Sequence, residues 1–133
     1  MKRKCEHMVS SQDGKRAIYV DSINKEEILR YLRQDERHKK KFKYITDIIL
    51  NDIKNPDLYD KEDINQKTKA VTAMKFFKGQ ENDRIYCKEI KSETGTKIVV
   101  TSVLYKRKKS QKLSKKEKAI INEVGGYEYE IQR

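Results

Sequence analysis

The residues best suited to chemistry in this 133-residue chain are cations that flank a predicted β-hairpin. The strand-like segments AVTAMKFF and DRIYCKEI are joined by KGQEN, a glycine-containing connection typical of hairpins. If the turn is centred just after Gly79, Lys75 lies opposite Arg84. Like charges directly opposite on one sheet face destabilise the sheet. An anionic ligand between the two side chains would remove that penalty.

More cations follow the apolar segment KIVVTSVLY (97–105), which is typical of a central strand. Lys106 and Arg107 come directly after it, and KKSQK begins at the next residue. This strand should run antiparallel to the strand that begins at Arg84, so that its end lies beside that arginine. The sequence therefore predicts a patch where cations from three strands meet.

A cationic patch without acidic metal ligands suits a phosphodiester, and RNA carries its own nucleophile, the 2′-OH. The protein must then hold the phosphate in line, neutralise charge on the developing phosphorane and move two protons. Arginine suits the first two tasks because its planar fork pairs two phosphate oxygens. A lysine among other cations can accept or donate a proton. This chemistry requires neither a metal nor a cofactor, and we expect none.

The composition agrees with an anionic partner. The formal net charge is +11, and 40% of the residues are charged. Such a field attracts nucleic acid, the ribosome, an acidic protein or an anionic membrane surface. No segment approaches the ~18 apolar residues of a spanning helix, and the N-terminus lacks the apolar region of a secretory signal. Cys5 and Cys87 form no CxxC pair, so we expect reduced thiols and a cytoplasmic protein.

Two helices are predicted before the hairpin. After a short strand at 15–22, Asn24 and Glu27 have the spacing of a capping box. A second helix should begin near Asp35 and end by Asn55, since Pro56 follows. Its apolar face is predicted from the helical spacing of Phe42, Ile45, Ile49 and Ile53.

A third helix and a last strand are predicted near the C-terminus. Ser114 should cap a short helix that stops at Gly125, and YEYEI should form an edge strand. We therefore predict one α+β domain over 1–133, with two helices packed on a small antiparallel sheet and a short C-terminal helix. Residues 1–14 form a lead-in of uncertain order.

Residues 70–118 resemble the RelE/HigB-type toxins of bacterial type II toxin–antitoxin modules, and most closely their phage-derived HigB-like branch. MKFFKG, RIYC and KKSQK stand where that branch has L-R-F-F-K-G, R-I-x-Y and K-K-[ST]-Q-K. The resemblance implies a RelE-like fold and an mRNA interferase, that is, an endoribonuclease that needs no metal. It also implies that mRNA or the ribosome is the target and that a cognate antitoxin, a helix-turn-helix protein, neutralises the toxin.

The resemblance also implies the site residues. Arg84, Lys108 and Lys109 match basic site residues of the family, and Lys75 replaces a family arginine. These four are the expected catalytic residues. The residues expected to contact RNA are Lys78, Tyr105, Lys106, Arg107 and Lys112.

Two other functions fit the same residues. The cations could serve only for affinity, in a non-catalytic RNA- or ribosome-binding module, or they could dock an acidic protein partner. Tyr105 could stack on a base, as aromatic side chains do at RNA sites, or it could pack against the core beside Val103. The basic run RHKKKFK (37–43) is interpreted as a solvated helix face.

Overall fold

A computed structural model of the chain describes residues 2–77, 83–106 and 114–131. Its strands are β1 (Arg3–Ser10), β2 (Arg16–Asp21), β3 (Tyr59–Lys61), β4 (Val71–Lys75), β5 (Arg84–Lys91), β6 (Lys97–Tyr105) and β7 (Tyr129–Ile131). Its α-helices are α1 (Lys25–Arg33), α2 (Glu36–Leu50) and α3 (Lys115–Gly125), and Gln66–Thr68 form a 3-10 turn. Within these residues the strands make one seven-stranded sheet, in the order β3-β4-β5-β6-β2-β1-β7.

The predicted RelE-like fold, with two helices on a small antiparallel sheet, is wrong. The sheet is large and mixed, because β2 pairs in parallel with β6 and β1 pairs in parallel with β7. Strands dominate the fold, and the helices are divided between the two faces of the sheet. The pairing of β2 with β6 joins segments far apart in the chain, which no local pattern of residues indicates.

Helices α1 and α2 cover one face of the sheet, largely through the side chains predicted for that role. Ile28 and Leu32 of α1 and Ile45 and Ile49 of α2 are buried in one apolar cluster with strand residues. Fully burying such a side chain contributes about 1.5–3 kcal/mol. Ile53, also assigned to this face, is 56% exposed because α2 ends at Leu50, before it.

The capping box predicted for α1 is wrong, because the Asn24 side chain caps no helix amide. Its Nδ2 instead donates to the carbonyl of Ser102 in β6 at 2.8 Å. The backbone amides of Ile23 and Asn24 donate to Asp21 Oδ1 at 2.8 and 3.0 Å. The start of α1 is thus held by the last residue of β2.

Asp21 also ties three other strands to β2. It is fully buried, and its Oδ2 accepts hydrogen bonds from Arg3 Nε of β1 and from the Tyr129 hydroxyl of β7, both at 2.7 Å. The Tyr129 hydroxyl also lies 2.8 Å from Ser102 Oγ of β6. Burial raises the pKa of Tyr129, which keeps the hydroxyl a donor. One carboxylate therefore links β1, β2 and β7 directly, and β6 through Tyr129.

Helix α3 packs on the opposite face of the sheet. Its predicted cap is confirmed. The Glu117 amide donates to Ser114 Oγ at 3.1 Å, and the Glu117 carboxylate accepts a hydrogen bond from the Ser114 amide. A Cβ on Gly125 would lie 2.5 Å from the Lys67 carbonyl, so the end of α3 approaches the 3-10 turn too closely for a side chain. In the portion of the chain described, no helix has both the length and the apolarity needed to cross a membrane.

Candidate functional site

Lys75, Arg84 and Tyr105 form a row across three neighbouring strands. Lys75 is the register partner of Arg84 between β4 and β5, as predicted, and Arg84 is the partner of Tyr105 between β5 and β6. Ala73 lies two residues before Lys75 in β4, and Tyr86 lies two residues after Arg84 in β5. Both pack in the apolar cluster that α3 covers. Because side chains alternate between faces, the row lies on the α3 face of the sheet, at its end.

Arg84 is held by a carboxylate that the sequence did not reveal. Its Nη1 donates to Glu62 Oε1 at 3.0 Å, and the side chains are only 13% and 10% exposed. Arg84 Nε is buried and has no hydrogen-bond partner in the described part of the chain. A buried guanidinium donor without an acceptor is costly, and because this atom has no exposed surface a phosphate oxygen would reach it only after the side chain moved.

The carboxyl of Glu62 has a perturbed pKa. Desolvation raises the pKa of its carboxyl, while the charges of Arg84 and Lys75 act in the opposite direction and do not cancel that rise. A carboxyl whose pKa moves up towards neutral pH is better matched to general acid–base catalysis than an exposed one. A perturbed carboxyl beside a cation is also a feature of catalytic sites.

A second buried carboxylate underlies the row. The Tyr86 hydroxyl donates to Glu117 Oε2 of α3 at 2.8 Å, and both residues are buried. Burial raises the pKa of Tyr86, and the hydrogen bond to Glu117 acts in the same direction. Through this contact α3 fixes β5 next to Arg84.

The other described members of the predicted site are placed differently. Lys75 Nζ donates to the Pro56 carbonyl at 2.9 Å, over the edge of the sheet. Tyr105 is half-buried, and Lys116 Nζ of α3 lies 5.9 Å from the centroid of its ring. Lys106 does not join Arg84: it lines a cavity of about 530 Å³ with Leu104 and residues of α1. Strand alternation places it on the opposite face, contrary to the predicted convergence.

The remaining predicted site residues fall outside the described residues. They are Lys78, Arg107, Lys108, Lys109 and Lys112.

Sequence reasoning missed Glu62, Glu117 and the hydroxyl of Tyr86. The spacing of Ser114 and Glu117 is that of a capping box, which would have placed Glu117 in the first turn of α3. Nothing local marks Glu62, which lies in a polar segment without helical or strand periodicity.

The chain was compared with protein-family models, with curated proteins and with solved structures, and none of the three comparisons gave a match. The functional interpretation therefore depends on the geometry of the site and on the sequence resemblance described above.

Proposed function

We propose that the protein is an endoribonuclease that cleaves RNA at the row of Lys75, Arg84 and Tyr105, using the 2′-OH of the substrate. The observation that carries this proposal is the Arg84–Glu62 pair. The pair holds a guanidinium fork, of the kind that suits phosphate and with one buried donor unused, next to a carboxyl of raised pKa. Charge stabilisation and proton transfer are the two contributions that this cleavage requires of a protein.

Each described residue then has one task. Glu62 accepts the proton of the 2′-OH as the oxygen bonds to phosphorus. Arg84 pairs with the non-bridging oxygens and stabilises the charge of the phosphorane. The P–O5′ bond breaks, and Lys75 donates a proton to the leaving oxygen after its Nζ leaves the Pro56 carbonyl. Tyr105 presents a ring on which a flanking base can stack.

The products provide a direct test of this chemistry. We expect a single-stranded RNA to be cleaved in EDTA, leaving a 2′,3′-cyclic phosphate and a 5′-hydroxyl, because the nucleophile comes from the substrate. DNA of the same sequence lacks that hydroxyl and should remain intact. Mass spectrometry of the fragments is the measurement. Activity that is lost on chelation and restored by Mg²⁺ or Mn²⁺ would show that a metal-activated water is the nucleophile instead.

We also propose that the protein is the toxin of a toxin–antitoxin module that acts on mRNA, at the ribosome or free in the cytoplasm. The support is the resemblance of residues 70–118 to RelE/HigB-type toxins, together with the charge of +11. The observed fold counts against this role, because it is not the RelE-like fold that the resemblance implies.

Growth measurements test the toxin role. Induced expression of the protein alone should stop bacterial growth and shorten mRNA, and co-expression of a neighbouring helix-turn-helix protein should restore growth. Arg84→Ala, expressed to the same level, is the matched control and should be tolerated. Normal growth with intact mRNA at confirmed expression of the unchanged protein would refute the role.

A further inference from the structure

A second cationic region lies at the other end of the strand pair that carries Arg84. It is a groove of about 750 Å³, bordered by the start of β2, the residues before β4, the end of β5 and the start of β6. We call it the distal groove. Five of its lining residues are cations and one is a carboxylate: Lys15, Arg16, Lys69, Lys91, Lys97 and Glu89.

Part of this charge is already neutralised. Arg16 Nη2 lies 3.1 Å from Asp52, and Lys97 Nζ lies 3.8 Å from Glu89. Glu89 is further engaged by the Tyr59 hydroxyl, which donates to it at 2.6 Å. The carboxylate of the groove is therefore occupied by its own neighbours.

In the described part of the chain the other cations form no direct ion pair, although the Asp13 carboxylate lies beside Lys15 and accepts a hydrogen bond from its backbone amide at 2.9 Å. Lys15, Lys69 and Lys91 are exposed, and none forms an ion pair or a side-chain hydrogen bond in the part of the chain that the structure describes. Arg16 Nε is buried there without a hydrogen-bond partner. These lysines come from three separate segments of the chain. The fold therefore brings their mutually repelling charges together at the groove. A groove that collects unpaired cations attracts an anion.

The chemistry of the lining favours a phosphate backbone. The described lining contains no aromatic ring on which a base could stack, and its apolar surface comes from Ala70, Ile90 and the stems of longer side chains. The core of a protein–protein interface is depleted of lysine and enriched in aromatic side chains, and this lining has the opposite composition. Lysines on flexible stems bind phosphates as point charges and do not read base sequence.

The distance between Arg84 and the distal groove sets the shortest RNA that can contact both. Arg84 begins β5 and Lys91 ends it, which separates them by about 23 Å at ~3.3 Å per residue. That distance corresponds to about seven nucleotides at the ~3.4 Å spacing of a stacked strand. Because α3 covers β5 on the face that carries Arg84, an RNA that joins the two sites passes around α3 and needs more than about seven nucleotides.

We propose that the distal groove binds the phosphate backbone of the RNA strand outside the cleavage site. The choice of RNA rests on the proposed function, whereas the presence of an anion site rests on the groove itself. Long RNAs then bind more tightly than short ones, without any preference for sequence at the distal end.

Charge reversal tests this binding directly. The variant is Lys69→Glu/Lys91→Glu, and the control is Lys40→Glu/Lys43→Glu, which makes the same change in net charge at exposed lysines of α2. The probe is a labelled 2′-O-methyl RNA of about 20 nucleotides, longer than the ~23 Å span and without a reactive 2′-OH. Fluorescence anisotropy over a series of salt concentrations gives the affinity and its salt dependence.

We expect the groove variant to bind the probe at least about tenfold more weakly than the control, with a salt slope smaller by about 1.4, or ~0.7 for each lost phosphate contact. In single-turnover assays on unmodified RNA, it should need more long RNA for half-maximal cleavage and keep the same maximal rate. Cleavage of an RNA too short to reach the groove should not change.

Equal losses in the groove variant and the control would reduce the effect to net charge and overturn the proposal. Unchanged RNA binding, together with lost binding of a polyglutamate peptide, would assign the groove to an acidic protein instead and also overturn it. The anisotropy measurement of binding does not depend on whether the protein cleaves RNA. If the wild-type chain cleaves nothing and the groove variant still loses affinity, the proposed function fails and the anion site stands.

Discussion

Arg84→Ala is expected to slow single-turnover cleavage of RNA by about 10²–10³-fold, the effect of removing one preorganised donor that stabilises transition-state charge. RNA affinity should fall only modestly, because many other cations still supply the salt-dependent attraction. The two measurements are single-turnover cleavage and filter binding at one salt concentration. A large loss in rate with a small loss in affinity identifies catalysis.

Three variants separate this role from that of an ordinary ion pair. Lys40→Ala, on the exposed surface of α2, should leave the rate unchanged. Arg84→Lys keeps the charge without the planar fork and should remain slow. Glu62→Gln can still accept a hydrogen bond from Arg84, but it cannot accept the 2′-OH proton. It should lose the increase in rate with pH that accompanies deprotonation of Glu62, whose pKa is raised above its usual value.

Equal and small losses in Arg84→Ala and Lys40→Ala would contradict the catalytic assignment. The Arg84–Glu62 pair would then be a structural contact, and the non-catalytic RNA-binding function would explain the charge. Circular dichroism of Arg84→Ala is required beside the kinetics, because the variant leaves the Glu62 carboxyl buried without its cation.

Asp21→Ala should lower the free energy of unfolding by about 3–5 kcal/mol, the cost of breaking a buried ion pair by removing one partner. The substitution leaves the Arg3 guanidinium, the Tyr129 hydroxyl and two backbone amides without their shared acceptor. Urea denaturation followed by circular dichroism measures the loss. The effect should be largest at the sheet edge formed by β1 and β7, which limited proteolysis would show as early cleavage there.

Two further substitutions define the source of that loss. Glu6→Ala removes the carboxylate of an exposed ion pair with Lys25 and should have only a small effect on the free energy of unfolding. Asp21→Asn keeps one acceptor oxygen and should fall between the two. If Asp21→Ala were as stable as Glu6→Ala, the link through Asp21 would not be what holds β1 and β7.

The local parts of the fold could be predicted from the sequence. The bounds of β6 and the cap of α3 match, because an apolar run and a Ser-x-x-Glu spacing are signals within a few residues. β1 was missed because RKCEHMVS shows charged side chains where a strand pattern needs apolar ones. Its partners, β2 and β7, hold it by backbone pairing and by the contact of Arg3 with Asp21.

The positions of the candidate site residues could be predicted only where they follow from the register of paired strands. The Lys75–Arg84 pairing follows from the position of a hairpin turn, and Arg84 was found in this way. Glu62 could not be found, since it reaches Arg84 through a chain reversal in a polar segment without periodicity. Lys106 was misplaced because proximity at a strand end was considered without the alternation of faces.

The parallel pairing of β2 with β6 also determines the order in which the chain can complete its sheet. Thr101 Oγ1 of β6 donates to the Tyr19 carbonyl of β2 across 82 positions in the sequence. During synthesis, β2 emerges long before β6 and can pair at first only with β1. The apolar run AIYV then keeps an open backbone edge, of the kind that pairs with other chains. Closing so distant a contact is also slow. A chain truncated before β6 retains that edge permanently, and self-association is its expected fate.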